Sequence, residues 1–158
     1  MKMILLLLLV ASAILAQTSD SITANDLIIQ QIIQDQKDGW NNGDAKQYAR
    51  SFQEEGIFTI ITGATFYNRS SLEKRVAFIL SGFFKNTILT QKIIKINYVS
   101  NYLAIVEIET EMTNYKGLPP GVKASADQKL KTSMLQVLMK TNDEWKVIAF
   151  HNVDVKVP

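Results

Sequence analysis

Trp145-Lys146-Val147-Ile148-Ala149-Phe150-His151-Asn152-Val153-Asp154-Val155 is the stretch on which the reading of the fold turns. It follows the turn signal Thr141-Asn142-Asp143-Glu144 and holds the only histidine of the chain. Its β-branched and aromatic residues favour a strand. In a regular strand alternate side chains point to opposite faces. Trp145, Val147, Ala149, His151 and Val153 then share one face, and Lys146, Ile148, Phe150, Asn152 and Asp154 the other. The apolar neighbours of His151 on the first face predict that its imidazole is turned inward.

Working backwards, three more long strands precede this one. The pattern predicts them over Ile88–Val99, Tyr102–Asn114 and Lys129–Lys140, with Ser100-Asn101 as a tight turn. Lys116-Gly117-Leu118-Pro119-Pro120-Gly121 breaks the series with a stiff loop, a candidate lid. Consecutive long strands with short turns read as an antiparallel meander.

The first half is helical. Ile29, Ile32, Ile33, Gln36 and Trp40 recur at three- and four-residue spacing, which predicts a helix over residues 24–42 that Gly43 stops. Asp44 and Gln47 form a capping box for a second helix with Ala45, Tyr48, Ala49 and Phe52 on its buried face, ending at Glu54-Glu55-Gly56. Gly56–Thr62 and Thr65–Tyr67 read as a short hairpin. Ser70-Ser71-Leu72-Glu73 reads as the cap of a third helix with Leu72, Val76, Ile79, Leu80 and Phe83 on one face. Helices segregated to one face of an antiparallel sheet make an α+β architecture. The expected form is three N-terminal helices packed on a curved, mainly antiparallel sheet, a cone-shaped barrel with an apolar interior.

Composition limits the function. Met1-Lys2-Met3, the apolar run Ile4–Val10 and the small residues up to Ala16 have the order of a cleavable signal peptide. The expected division is residues 1–16 as signal and 17–158 as one domain, secreted or periplasmic, with no membrane span after cleavage. Removing Lys2 from 17 basic residues leaves 16 against 15 acidic ones, a balance that excludes the clustered basic face of a nucleic-acid binder. The chain has 0 cysteines, so it has neither disulfides nor thiol chemistry. No cofactor and no metal are expected.

Three motifs add a resemblance. Trp40-Asn41-Asn42-Gly43-Asp44-Ala45 is similar to the "W-x-x-G-D-A" joint of the nuclear-transport-factor-2-like, or SnoaL-like, superfamily. Phe52-Gln53-Glu54-Glu55-Gly56-Ile57-Phe58 resembles its "F-x-x-D-G-x-F" entry into the first strand, and Glu144–Asn152 the "W-x-I-x-A-F-H-N" ending of an SgcJ/EcaC-type branch. The likeness spans essentially all of residues 17–158. That superfamily holds isomerases, cyclases, dehydratases, epoxide hydrolases and non-enzymatic binding and dimerisation modules, so the resemblance leaves the activity open. Its enzymes often carry a cavity-facing carboxylate on the first hairpin. Here Ile60-Ile61-Thr62-Gly63-Ala64-Thr65 has no acid or base.

Two readings of the site follow. In the first, Trp40, Tyr48, Phe58, Phe83, Trp145 and His151 line an apolar pocket that binds a small hydrophobic ligand, and/or the protein forms a homodimer through its sheet, unless the cavity is filled and the role structural. In the alternative, a cyclase-, isomerase- or dehydratase-like enzyme uses His151 as general acid/base, with Tyr48, Gln136 or Asn152 as partner. Glu107, Glu109 and Glu111 alternate with apolar residues and read as a solvated outer face paired with Lys129 and Lys131, not as ligands for a cation.

Overall fold

The computed structural model describes residues 24–155; the expected signal peptide lies outside the described residues. Helix α1 covers residues 24–41. It is followed by α2 (Ala45–Ala49), β1 (Phe52–Thr59), β2 (Thr65–Asn68), α3 (Arg69–Ser81), β3 (Ile88–Ser100), β4 (Leu103–Thr113), β5 (Leu130–Thr141) and β6 (Glu144–Asp154). The six strands form one curved, unclosed sheet in the order β2-β1-β6-β5-β4-β3. The architecture is the expected α+β one, with three helices on a mainly antiparallel sheet. Its edges, β2 and β3, do not meet, so the cone stays open.

The long strands obey the pleat. In β4 the buried residues are Ala104, Val106, Ile108, Thr110 and Met112, and in β5 Leu130, Thr132, Met134, Gln136 and Leu138. On the opposite face of β4, Glu107 and Glu109 are exposed, and Glu111 Oε2 accepts from Lys129 Nζ at 2.8 Å. This cross-strand ion pair is solvent-facing, a setting where such pairs contribute little.

β1 enters the sheet beside β6 as the one parallel pair among the described residues, with Ile57 opposite Ala149 and Phe58 opposite Phe150. It begins four residues earlier than the apolar pattern predicts, at Phe52, and α2 stops at Ala49. Phe52 is therefore the first strand residue rather than the last of a helical face. It is fully buried in an aromatic cluster, stacked on Tyr48 and edge-to-face with Phe58 and Phe150, at centroid distances of 5.7, 5.1 and 5.7 Å. Such pairs add about 0.5–1.5 kcal/mol each beyond the area they bury. The cap of α3 also differs from expectation: Asn68, not Ser70, accepts from the Ser71 amide at 2.8 Å. At the other end of α3 the chain leaves the helix at Gly82, which turns Phe84 into the core and leaves Phe83 at the surface.

Polar contacts fix α1 against the sheet. Asn41 copies a strand edge, accepting from the Leu89 amide at 2.7 Å and donating to the Leu89 carbonyl at 3.0 Å. Trp40 Nε1 donates to Thr87 Oγ1 at 3.0 Å, and Trp145 Nε1 to Asn25 Oδ1 at 3.0 Å. At the centre, Gln36 and Gln136 are both fully buried. Gln136 Nε2 donates to Gln36 Oε1 at 2.8 Å, and Gln36 Nε2 is shared between Ser51 Oγ at 3.0 Å and Gln136 Oε1 at 3.4 Å. Gly39 permits α2 to cross α1, because a Cβ there would run into the backbone of Tyr48.

The amide pair makes a stability prediction. Gln136→Leu orphans Gln36 Oε1 in the interior and should cost about 1–3 kcal/mol. Combining it with Gln36→Leu removes both partners and should recover most of that loss, read from urea unfolding midpoints. A double variant that simply sums two losses would show that the pair is not reciprocal.

Candidate functional site

β6 decides which residues face the interior, and it does not run as a regular strand. Val137 of β5 lies opposite Ala149, but Leu138 lies opposite Val147, so Ile148 is an extra residue, a β-bulge. β1 shifts register at the same place, between Phe52–Val147 and Ile57–Ala149. Gly56 belongs to this irregularity: a Cβ there would meet the Ile148 carbonyl oxygen at 2.6 Å. Before the bulge Trp145 and Val147 point inward; after it Phe150 and Asn152 do, and His151 faces out.

The inward placement expected for His151 is thus corrected. Its imidazole is on the exposed outer face, opposite Leu135 of β5. The three partners considered for it lie elsewhere: Tyr48 and Asn152 in the wall of the interior cavity, and Gln136 bound to Gln36. The sequence carries no strong signal for the extra residue, since Val147-Ile148-Ala149-Phe150 has the composition of an unbroken strand.

A cavity of about 210 Å³ lies between α3, the Pro119-Pro120 loop and the concave face of the sheet. Of the residues expected to line it, Trp40, Tyr48 and Phe83 do. Phe58 is fully buried in the aromatic cluster, at 5.1 Å from Phe52 and 6.0 Å from Phe150, and is not a wall residue. Trp145 is also outside the wall, packed edge-on to Tyr98 at 6.2 Å near the start of α1. The remaining aromatic lining comes from Phe78, Phe84 and Phe150. Phe78 is 63% and Phe83 54% exposed, which marks their side as the mouth. The loop is held there by Lys116, whose amide donates to the Phe83 carbonyl at 3.0 Å.

The polar part of the wall is small. Arg75 is the single charged one among the described lining residues, and its guanidinium carbon sits 5.6 Å from the centroid of the Phe78 ring. Gln91, Thr110, Thr132, Asn152 and Thr62 are the neutral polar ones besides Tyr48. Burial pushes the Tyr48 phenol well above the ordinary tyrosine value, so it stays a neutral hydroxyl. No carboxylate, histidine or lysine is among the described lining residues. Arg75 was missed by periodicity, which assigns a helix residue beside an apolar stripe to solvent; Gln91 was legible only as a polar break on the Leu89 and Ile93 face of β3. Thr110 was legible as a polar break in the run Ala104, Val106, Ile108, Met112.

No protein-family model and no curated protein sequence matches the chain. Solved structures do. A domain of unknown function with a cystatin-like fold from Nostoc punctiforme PCC 73102 superposes with a TM-score of 0.74 at 21% identity, covering 85% of this chain and 80% of that one. An NTF-2-like protein of unknown function from Shewanella oneidensis MR-1 gives 0.67 at 18% identity, covering 82% and 99%. The chain has the NTF2-like, cystatin-like fold. A hexachlorocyclohexane dehydrochlorinase from Novosphingobium barchaimii LL02 shares this NTF2-like fold, with a TM-score of 0.73 at 11% identity over 87% of this chain and 91% of that one. The NTF2-like fold thus carries both an enzyme and proteins of unknown function among these neighbours. Which role this chain has must be argued from its own cavity.

Proposed function

We propose that this protein binds a small, ring-sized apolar molecule in the cavity under α3. The observation that carries the reading is an aromatic-walled cavity of about 210 Å³, opening between Phe78 and Phe83. An engineered apolar cavity of ~150 Å³ already holds benzene. A concave, largely apolar site with a few placed polar groups is the usual form of a small-molecule pocket. The described lining lacks a carboxylate or imidazole that could move a proton near neutral pH. That favours binding over the acid/base enzyme.

The test is thermal unfolding of the purified protein with and without toluene. Toluene should raise the midpoint in a concentration-dependent way. Val76→Phe, which extends a ring into the cavity from α3, should abolish the shift while far-UV circular dichroism stays native. No shift in the parent protein contradicts the reading.

A second copy of the chain is the partner we propose for the outer sheet face. Ile57, Leu135 and Val153 project from neighbouring strands of that face and are 56%, 45% and 52% exposed. Exposed apolar groups clustered on one face favour association. Light scattering should return twice the chain mass, and Leu135→Glu should return the single mass. A monomer for the parent protein at high concentration contradicts the dimer.

A further inference from the structure

The inner face of the sheet is built in cross-strand rows, and one row is polar from end to end. Gln91 of β3 lies opposite Thr110 of β4, Thr110 opposite Thr132 of β5, and Thr132 opposite Asp154 of β6. The rows on either side are apolar: Leu89–Met112–Leu130 and Ile93–Ile108–Met134, the latter ending at Asn152. Burying polar groups in the middle of an apolar sheet costs free energy unless they are hydrogen-bonded. The polar groups of this row and those facing it are not fully bonded. Both amide atoms of Gln91, Oδ1 of Asn152 and Nε of Arg75 are sealed from solvent and have no partner among the described residues. The hydroxyls of Thr110 and Thr132 bond each other at 2.5 Å, and only one of the two protons is used in that contact.

All five residues border the same cavity. Their unused capacity leans toward donation: the Gln91 amide N–H groups, one threonine hydroxyl and the Arg75 Nε–H, against the acceptors Gln91 Oε1 and Asn152 Oδ1. Among the described lining residues the single charge is positive; Asp154 closes the row in an adjoining depression that shares Ile61, Thr62 and Pro120 with the cavity. Arg75 makes no ion pair among the described residues; Arg50 and Arg69 are paired with Asp35 and Glu54. A guanidinium and neutral donors lining one cavity have the chemistry that recognises a carboxylate.

Resting on the reading of the cavity as a ligand pocket, we propose that its ligand is a ring-sized monocarboxylate. The apolar body occupies the aromatic part, and the carboxylate oxygens accept from Arg75, Gln91 and the threonine pair. Asn152 accepts from a protonated or hydroxyl substituent on the same molecule.

Calorimetric titration of the full chain with benzoate and with benzyl alcohol, its neutral counterpart of similar shape, tests this. Benzoate should bind, and more tightly than benzyl alcohol by about tenfold, as charge-assisted bonds require. Arg75→Met should weaken benzoate far more than benzyl alcohol and so remove that preference. Gln91→Leu should weaken benzoate and at the same time hold or raise the unfolding midpoint, because it replaces unpartnered atoms. A purely structural glutamine would lower it. Equal affinity for the two probes, or benzoate binding indifferent to Arg75→Met, overturns the carboxylate assignment. If toluene shifts the unfolding midpoint and benzoate does not bind, the carboxylate proposal fails and the apolar pocket stands. If toluene fails as well, both fall.

Discussion

One extra residue in β6 organises this protein. The bulge at Ile148 turns the strand over between Val147 and Phe150. Because side chains alternate with a period of two, a one-residue slip moves every later residue to the opposite face. Trp145 and Val147 therefore close one end of the core, Phe150 joins the aromatic cluster, and Asn152 reaches the cavity wall, while His151 is put out toward solvent. The same irregularity admits β1 as a parallel neighbour, with Gly56 giving room for the Ile148 carbonyl.

Much of the architecture was legible in the sequence because it rests on periodicity. The alternation of Val106, Ile108 and Met112 with Glu107, Glu109 and Glu111 states both faces of β4, and the Asp44 cap states where α2 starts. The site was less legible, and for a physical reason. Periodicity places side chains only as long as the period holds, and nothing in Val147-Ile148-Ala149-Phe150 announces a break. An error of one residue there was enough to turn His151 inward and to hide Asn152. The parallel pairing of β1 with β6 is a long-range contact that no local pattern encodes. Phe58 and Trp145 were legible as interior aromatics, but interior is not the same as cavity wall. Phe58 fills space that Phe52 and Phe150 define, and Trp145 closes the far end of the cone.

The polar groups inside the open cone divide into partnered and unpartnered ones. Gln36 and Gln136 satisfy each other and tie α1 to β5. Trp40 and Asn41 spend their hydrogen bonds on Thr87 and Leu89 at the start of β3. Arg75, Gln91 and Asn152 retain unpartnered atoms. Buried groups of the first kind hold a fold together. Those of the second kind weaken it unless something else completes them, which is the physical basis of the proposal that a ligand does so.

The register of β6 can be measured directly by cross-strand nuclear Overhauser contacts between backbone protons of β5 and β6. The account predicts contacts pairing Leu138 with Val147 and Lys140 with Trp145, alongside Gln136 with Phe150. Contacts pairing Leu138 with Ile148 and Lys140 with Lys146 would mean that β6 is unbulged. His151 and Asn152 could then not have the places given to them here, and the cavity wall would have to be redrawn.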